Sequence, residues 1–123
     1  PQPIYRKQTK GGTLMETLRE KFVENLTYPE AFKRITDSMV DLFTKKNSDY
    51  GSSFASTWQK LGPISGITRI ADKFNRLCNL ITNPNGQQIK TESVEDTLLD
   101  LANYAVLALI EFKKSSGEFC VME

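Results

Sequence analysis

Residues 92–104 read Glu-Ser-Val-Glu-Asp-Thr-Leu-Leu-Asp-Leu-Ala-Asn-Tyr, and this pattern predicts a helix with carboxylates along one side. Positions i, i+4, i+8 and i+11 share one face of an α-helix. In this segment those positions hold Glu92, Asp96, Asp100 and Asn103. A second face is apolar and suited to packing, and it comprises Val94, Leu98, Leu101, Ala105, Leu109 and Phe112. Residues 104–110 are apolar nearly all the way round, which indicates a helix with protein on both sides, so the acidic face should also meet protein.

Carboxylates in such a place need a counter-charge, because like charges one turn apart repel and a buried carboxylate is costly. Mg²⁺ suits them, since it takes oxygen ligands and leaves positions for water and phosphate, and Mn²⁺ shares this preference. Glu92, Asp96 and Asp100 are therefore candidate metal ligands, whereas Glu95 projects away from their line and is the weakest ligand candidate. The alternative is an acidic first turn that complements the helix dipole, with Asp100 paired to an Arg or Lys.

The composition excludes several classes of chemistry. The chain has 123 residues, enough for one domain with its own core, and its 16 basic and 15 acidic residues give no general attraction to nucleic acid. It contains no histidine, which removes His-based acid–base catalysis and most catalytic zinc sites. The two cysteines are interpreted as free thiols. No apolar run is long enough to span a membrane, so a cytoplasmic protein is expected.

The apolar pattern along the chain predicts an all-α fold with about four helices. Residues 1–12 are interpreted as a flexible leader, and 13–123 as a single domain. Helices are expected over 13–26, from the capping box at Thr27–Glu30 to about residue 46, over 67–82 and over 92–114. Residues 47–66 are expected to form a loop or broken helix, and long loops in compact domains tend to be functional.

Polar residues in the middle of the chain allow two interpretations. On the third helix, Arg69, Lys73 and Arg76 are either a solvated face with local ion pairs or a phosphate clamp, with Asp72 as a further metal ligand. In the segment 47–66, residues 49–53 are either a turn or a set of donors to a nucleotide, the latter from Asp49, Tyr50 and Ser53. Phe54 and Trp58 either stack on a base or close a small core.

Three separated segments carry a resemblance to a known family: 45–54 (Lys-Lys-Asn-Ser-Asp-Tyr-Gly-Ser-Ser-Phe), 66–77 (Gly-Ile-Thr-Arg-Ile-Ala-Asp-Lys-Phe-Asn-Arg-Leu) and 92–105. Together they resemble a phage nucleotide-modification-associated domain, which is grouped with the MazG-like all-α NTP pyrophosphatases. The resemblance covers roughly residues 28–113. It implies a helical bundle, carboxylate-bound Mg²⁺ and cleavage of a nucleoside triphosphate to the monophosphate and pyrophosphate.

The resemblance to the ExxE and ExxD motifs of the wider superfamily is partial. On the third helix only Asp72 matches, since Arg69 and Asn75 occupy its three-residue offsets. On the last helix, Asp96 and Asn103 keep the superfamily spacing, but Ser93 stands in place of the Glu. This leaves the number of metals open. The resemblance also implies substrate contacts at Asn103 and Tyr104.

These observations predict a Mg²⁺-dependent pyrophosphohydrolase acting on a (deoxy)nucleotide, with Asp96 or Glu95 orienting or deprotonating the attacking water. Two alternatives remain, a non-catalytic protein that sequesters a nucleotide and a helical adaptor. An apolar last helix in so small a domain also predicts self-association as a dimer or a dimer of dimers, with Leu107 and Ile110 at or near the interface.

Overall fold

The computed structural model describes residues 23–83 and 91–122, except for the side chains of 47–51, 91 and 92. This part of the chain forms four helices and no strand, which confirms the all-α prediction. The helices are α1 (Tyr28–Lys45), α2 (Asn47–Leu61), α3 (Pro63–Thr82) and α4 (Thr91–Ser115). None of these described helices is both long enough and apolar enough to cross a membrane.

The chain divides into two compact units between Asp41 and Leu42. The first unit, residues 1–41, contains most of α1. The predicted leader (1–12) lies outside the described residues, as does most of the helix predicted over 13–26, whose described part from residue 23 onward has no regular structure. The second unit, residues 42–123, contains α2, α3 and α4 and the core that they share.

The start of α1 follows the capping signal in the sequence. The backbone N–H of Glu30 donates to the Thr27 hydroxyl oxygen at 3.3 Å, and the N–H of Ala31 donates to the Thr27 carbonyl at 2.9 Å. Pro29 lies in the first turn, where its missing N–H is no loss. The predicted start of this helix is therefore confirmed.

Of the two forms predicted over 47–66, the loop is wrong and the broken helix is confirmed, because this stretch consists of α2, a break at Gly62 and the first turn of α3. Gly62 separates the two helices with φ +82°, in the left-handed region that favours glycine, and its N–H donates to the Trp58 carbonyl at 2.7 Å. Pro63 then begins α3. The physical reason for α2 is visible in the core, where Phe54 and Trp58, one turn apart, are both buried.

The core of the second unit is small and aromatic. Its buried apolar side chains are Phe54, Trp58, Leu107 and Ala108, with Phe43, Ile70, Tyr104 and Ile110 partly buried against them. The ring centroids of Phe54 and Trp58 are 5.8 Å apart. Phe54 and Trp58 thus close a core, and this confirms that interpretation of the two residues.

Helices α2 and α3 approach closely at Gly66, which is buried. A Cβ atom at Gly66 would lie 2.6 Å and 2.8 Å from two carbons of the Trp58 ring and 2.9 Å from Phe54. These distances are well inside van der Waals contact, so only glycine leaves room for both rings.

Helix α4 packs with a different face from the one predicted. The buried residues of α4 are Thr97, Leu107, Ala108 and Glu111. The expected packing face is only partly used: Val94 and Leu101 are half-buried and the Phe112 ring packs edge-to-face on Trp58 at 5.1 Å. Leu98, Leu109 and Phe112 are nevertheless 45%, 55% and 50% exposed. Because the helix is apolar on several sides, periodicity did not identify the buried one. Leu107 is therefore part of the chain's own core and cannot itself form a dimer contact, whereas its predicted place near an interface stays a prediction.

Thr97 and Glu111 tolerate burial on this face because each has a polar partner. The Thr97 hydroxyl donates to the Ser93 carbonyl at 2.6 Å. The Lys114 ammonium group donates to both carboxylate oxygens of Glu111, at 3.1 Å and 3.0 Å. Hydrogen-bonded polar groups cost far less to bury than unpaired ones.

The close approach at Gly66 predicts that Gly66→Ala destabilises the protein. Overpacking typically costs about 1–3 kcal/mol, which should exceed the roughly 1 kcal/mol that alanine gains over glycine in a helix. As a control, Ala71→Gly at an exposed position of the same helix measures the difference in helix propensity between alanine and glycine. Urea unfolding followed by circular dichroism tests the prediction, and a Gly66→Ala protein more stable than the wild type would contradict it.

Candidate functional site

An ion pair joins α3 to α4 and marks the candidate site. The Lys73 ammonium nitrogen lies 2.9 Å from a carboxylate oxygen of Asp100, and the two side chains are 29% and 35% exposed. Among the ion pairs formed by described residues, this is the one that connects two different helices. The interpretation in which Asp100 pairs with a basic residue is therefore confirmed.

The pKa of Lys73 is raised above its ordinary value of 10.5, chiefly by the hydrogen bond that its ammonium group donates to Asp100. Burial opposes this shift because it disfavours the charged form, and the positive charge of Arg76 also lowers the pKa. The charge of Asp100 and the electrostatic contribution of Tyr104 act in the opposite direction. Lys73 is thus fully charged at neutral pH and electrostatically coupled to three other predicted site residues.

Arg69 lies one turn before Lys73 and rests on two aromatic rings. The central carbon of its guanidinium group is 5.5 Å from the ring centroid of Phe54 and 5.9 Å from that of Tyr104. The two rings are themselves 6.0 Å apart with an interplanar angle of 18°. Arg69 as a residue is half-buried, and no carboxylate of the described side chains forms an ion pair with it.

We call Arg69, Lys73, Asp100 and Tyr104 the α3–α4 seam. The interpretation of the basic residues of α3 as a solvated face is wrong for two of them, since Arg69 and Lys73 are half-buried and contact residues of other helices. Lysine and arginine can do this because their long aliphatic stems pack while the charged ends reach polar partners.

The other predicted site residues are not drawn into the seam by any described contact. Exposed residues among them are Ser53 on α2, Asp72 and Arg76 on α3, and Glu95 and Asp96 on α4. Asn103 is half-buried on α4. The side chains of Asp49, Tyr50 and Glu92 lie outside the described part of the structure.

The oxygen donors on α4 have the chemistry that Mg²⁺ prefers. Asp96, Asp100 and Asn103 follow one another at i, i+4 and i+7 and offer two carboxylates and an amide oxygen. The described residues contain no group of three His, Cys, Asp or Glu side chains placed to hold a metal. Asp100 already has a positive partner in Lys73, so a metal at this carboxylate would compete with the ammonium group.

Phe54 is a site residue whose role the sequence did not reveal. The interpretation of Phe54 as a stacking partner for a base is wrong, because the ring is 2% exposed and supports Arg69 from within the core. A signal was present, because Tyr50, Phe54, Trp58 and Leu61 recur at i, i+4, i+8 and i+11. That spacing predicts a helix with an aromatic core face instead of a loop.

Residues 46–112 match the family model described as Nucleotide modification associated domain 1. The match spans more than half of the chain and includes α2, α3 and most of α4, so the chain belongs to this family. Comparisons with curated proteins and with solved structures find no match. The family match confirms the resemblance to a nucleotide-modification-associated domain.

The ion pair between Lys73 and Asp100 should contribute measurably to stability. In a double-mutant cycle with Lys73→Met and Asp100→Asn, we expect a coupling free energy of about 0.5–1 kcal/mol, because the pair is half-buried. The same cycle on the exposed pair Lys33–Asp37, whose side chains are 76% and 61% exposed, is the control and should give less.

The coupling should also depend on pH in a defined direction. Because the pKa of Lys73 is raised in the folded state, its contribution is present at neutral pH and is lost only as the pH rises through the folded pKa, above 10.5. Chemical denaturation at neutral pH and at successively higher pH provides both measurements. A coupling free energy of zero at neutral pH would show that the pair contributes nothing to stability.

Proposed function

We propose that the protein is a Mg²⁺-dependent nucleoside triphosphate pyrophosphohydrolase that acts on a (deoxy)nucleotide in phage nucleotide metabolism or modification. The observation that carries the proposal is the α3–α4 seam, where basic side chains of α3 meet a carboxylate of α4 within the region that matches the family. The products are a nucleoside monophosphate and pyrophosphate. Such a substrate also favours a cytoplasmic location.

The basic residues of α3 supply the charge that a triphosphate needs. Arg69, Lys73 and Arg76 follow one another at i, i+4 and i+7, so they form one row along the helix. Asp100 is the one carboxylate that pairs with this row among the described residues. The row therefore keeps a net positive charge, which favours an anion with several phosphate groups.

The carboxylates of α4 are the residues that would hold Mg²⁺. Asp96 and Asp100 lie one turn apart, and Glu92 and Asp72 extend the candidate set. When bound, Mg²⁺ supplies positive charge to the phosphates and lowers the pKa of a water molecule. The oxygen of one water bonds to a phosphorus of the α–β linkage, the phosphoanhydride bond breaks, and the monophosphate and pyrophosphate separate. The proton of the water passes to a carboxylate of the chain, for which we propose Asp96 or Glu95. Both side chains are exposed, and the chain has no histidine to take this role.

The alternative is a protein that binds a nucleotide without hydrolysing it. The pairing of Asp100 with Lys73 favours this alternative, because it engages one of the few carboxylates available to a metal. The departures from the ExxE and ExxD motifs also favour binding without hydrolysis. The two functions share the same phosphate-binding residues and differ in whether pyrophosphate is released.

The proposed activity predicts pyrophosphate release from one or more nucleoside triphosphates in the presence of Mg²⁺. We expect Asp96→Ala to reduce the rate by at least about 100-fold, as for loss of a general base, while helical content is unchanged because the side chain is exposed. Lys33→Met, in the first unit, is the control and should keep full activity.

Mg²⁺ at millimolar concentration should also raise the melting temperature of the wild type, and Asp100→Asn should reduce that response. Absence of any Mg²⁺ response together with absence of turnover would contradict the proposal. Tight nucleotide binding without turnover on common or modified triphosphates would establish the alternative.

We also propose that the protein is a homodimer, or a dimer of dimers, in which a second copy covers the exposed apolar face of α4. Leu98, Leu109 and Phe112 on this face are about half exposed, and large contiguous apolar patches are uncommon on monomers. The face carries no charge of its own, so two copies can meet without repulsion. Glu95 lies at one end of this face and Lys113 at the other, and both project from the same side of the helix. Two antiparallel copies of α4 would therefore bring Glu95 of each copy near Lys113 of the other.

The proposed dimer predicts different outcomes for two leucines of α4. Leu109→Glu should give a folded monomer, because the side chain is 55% exposed within the chain. Leu107→Glu should instead unfold the protein, because this side chain is 8% exposed and part of the core. Light scattering and circular dichroism distinguish the two outcomes, and a wild type that is monomeric at micromolar concentration would contradict the dimer.

A further inference from the structure

The three basic residues of the row on α3 differ in how their charge is engaged. Lys73 donates a hydrogen bond to Asp100 at 2.9 Å, so its charge already has a partner. Arg76 is exposed, and no contact among the described residues holds its side chain in one position. Arg69 is half-buried, held against two rings, and not paired with any described carboxylate. It is the residue of the three that combines a fixed position with an uncompensated charge.

The rings fix Arg69 without neutralising it. A cation–π contact orients the guanidinium over the ring face but removes neither its charge nor its N–H donors. The distances of 5.5, 5.9 and 6.0 Å among the guanidinium and the two ring centroids form a nearly equilateral triangle. The guanidinium is therefore not sandwiched between the rings. It lies over both ring faces, and because Arg69 is only half-buried, part of its side chain stays accessible to a ligand.

Each of the two rings is itself held in place. Phe54 is 2% exposed and stacks on Trp58, whose own position is set by the close approach to Gly66. Tyr104 stacks on Phe54 and is half-buried on α4. Arg69 thus rests on a rigid platform contributed by two other helices, which is the kind of support that preorganises a binding group.

We infer that Arg69 is the principal phosphate-binding residue of the α3–α4 seam, and that Tyr104 is a positioning residue that aims its guanidinium at the phosphate chain of a nucleotide. A planar guanidinium makes two parallel hydrogen bonds to one phosphate group, whereas a lysine makes a point contact. Less rotamer entropy is lost on binding because Arg69 is already ordered. This inference rests on the part of the proposed function in which phosphates bind at the seam, and it does not require hydrolysis.

The inference is tested with inorganic tripolyphosphate, without metal, by titration calorimetry on the full chain. Arg69→Lys should weaken binding by about tenfold, since a charge is kept but the bidentate geometry is lost. Tyr104→Leu should weaken binding by about fivefold, because one cation–π contact is lost and the Arg69 side chain is less ordered. Tyr104→Phe retains the ring and should restore wild-type affinity to within about twofold. Ile110→Ala, which removes a partly buried side chain of the same helix, is the structural control and should bind as the wild type does.

A second measurement separates positioning from a general loss of structure. The side-chain N–H resonances of Arg69 in the wild type and in Tyr104→Phe should show ring-current shifts and should move when tripolyphosphate is added. Wild-type affinity in both Arg69→Lys and Tyr104→Leu would overturn this inference but not the proposed function. Arg69 resonances that do not respond to the anion would do the same. A wild type that binds neither tripolyphosphate nor any nucleotide would overturn the proposed function as well. If Tyr104→Leu fails to fold, Arg69→Lys and the resonance shifts still decide the matter.

Discussion

The close approach of α2 and α3 at Gly66 is the constraint on which the second unit depends. It allows the rings of Phe54 and Trp58 to lie directly against the backbone of α3, and these two rings make up most of the apolar core that α4 covers. With so few fully buried side chains, the unit has little redundancy. The same packing fixes the direction from which Arg69, one turn beyond Gly66, reaches the aromatic platform. The packing at Gly66 therefore affects both the stability of the second unit and the position of Arg69 in the candidate site.

Local signals in the sequence predicted most of the helices. They failed between residues 47 and 57, where the polar composition favoured a loop although aromatic residues recur at helical spacing. The Thr27 cap and Pro29 placed the start of α1 correctly, because capping is decided by neighbouring residues. Asn, Ser and Gly are frequent between residues 47 and 57 and suggested a loop. The aromatic side chains one turn apart outweighed that composition, since burying two rings stabilises a helix more than a few weak helix formers destabilise it.

The sequence predicted the members of the α3–α4 seam but not their arrangement. Arg69, Lys73, Asp100 and Tyr104 were all candidates, and the structure brings these four together. Which face of α4 packs inward could not be predicted, because apolar residues occupy several of its sides and polar residues such as Glu111 are buried with their partners. Packing against the other helices determines which face of α4 is buried. The periodicity of a single helix does not carry that information. For the same reason, the support of Arg69 by Phe54 was not predictable from spacing.

The distribution of charge across the seam bears on what kind of ligand it suits. The side chains of α3 present three positive charges in a row, whereas α4 presents exposed carboxylates near its N-terminal end and one, Asp100, engaged by Lys73. The basic row would attract an anion, whereas the carboxylates of α4 would attract a cation. A metal–polyphosphate ligand carries both signs of charge and can satisfy both groups at once. Lys73 and Asp100 neutralise each other across the helix interface, and such a ligand can offer each of them a new partner of the opposite sign. The ion pair between α3 and α4 is therefore compatible with the proposed nucleotide site, because a nucleotide and its metal would engage the same two charges.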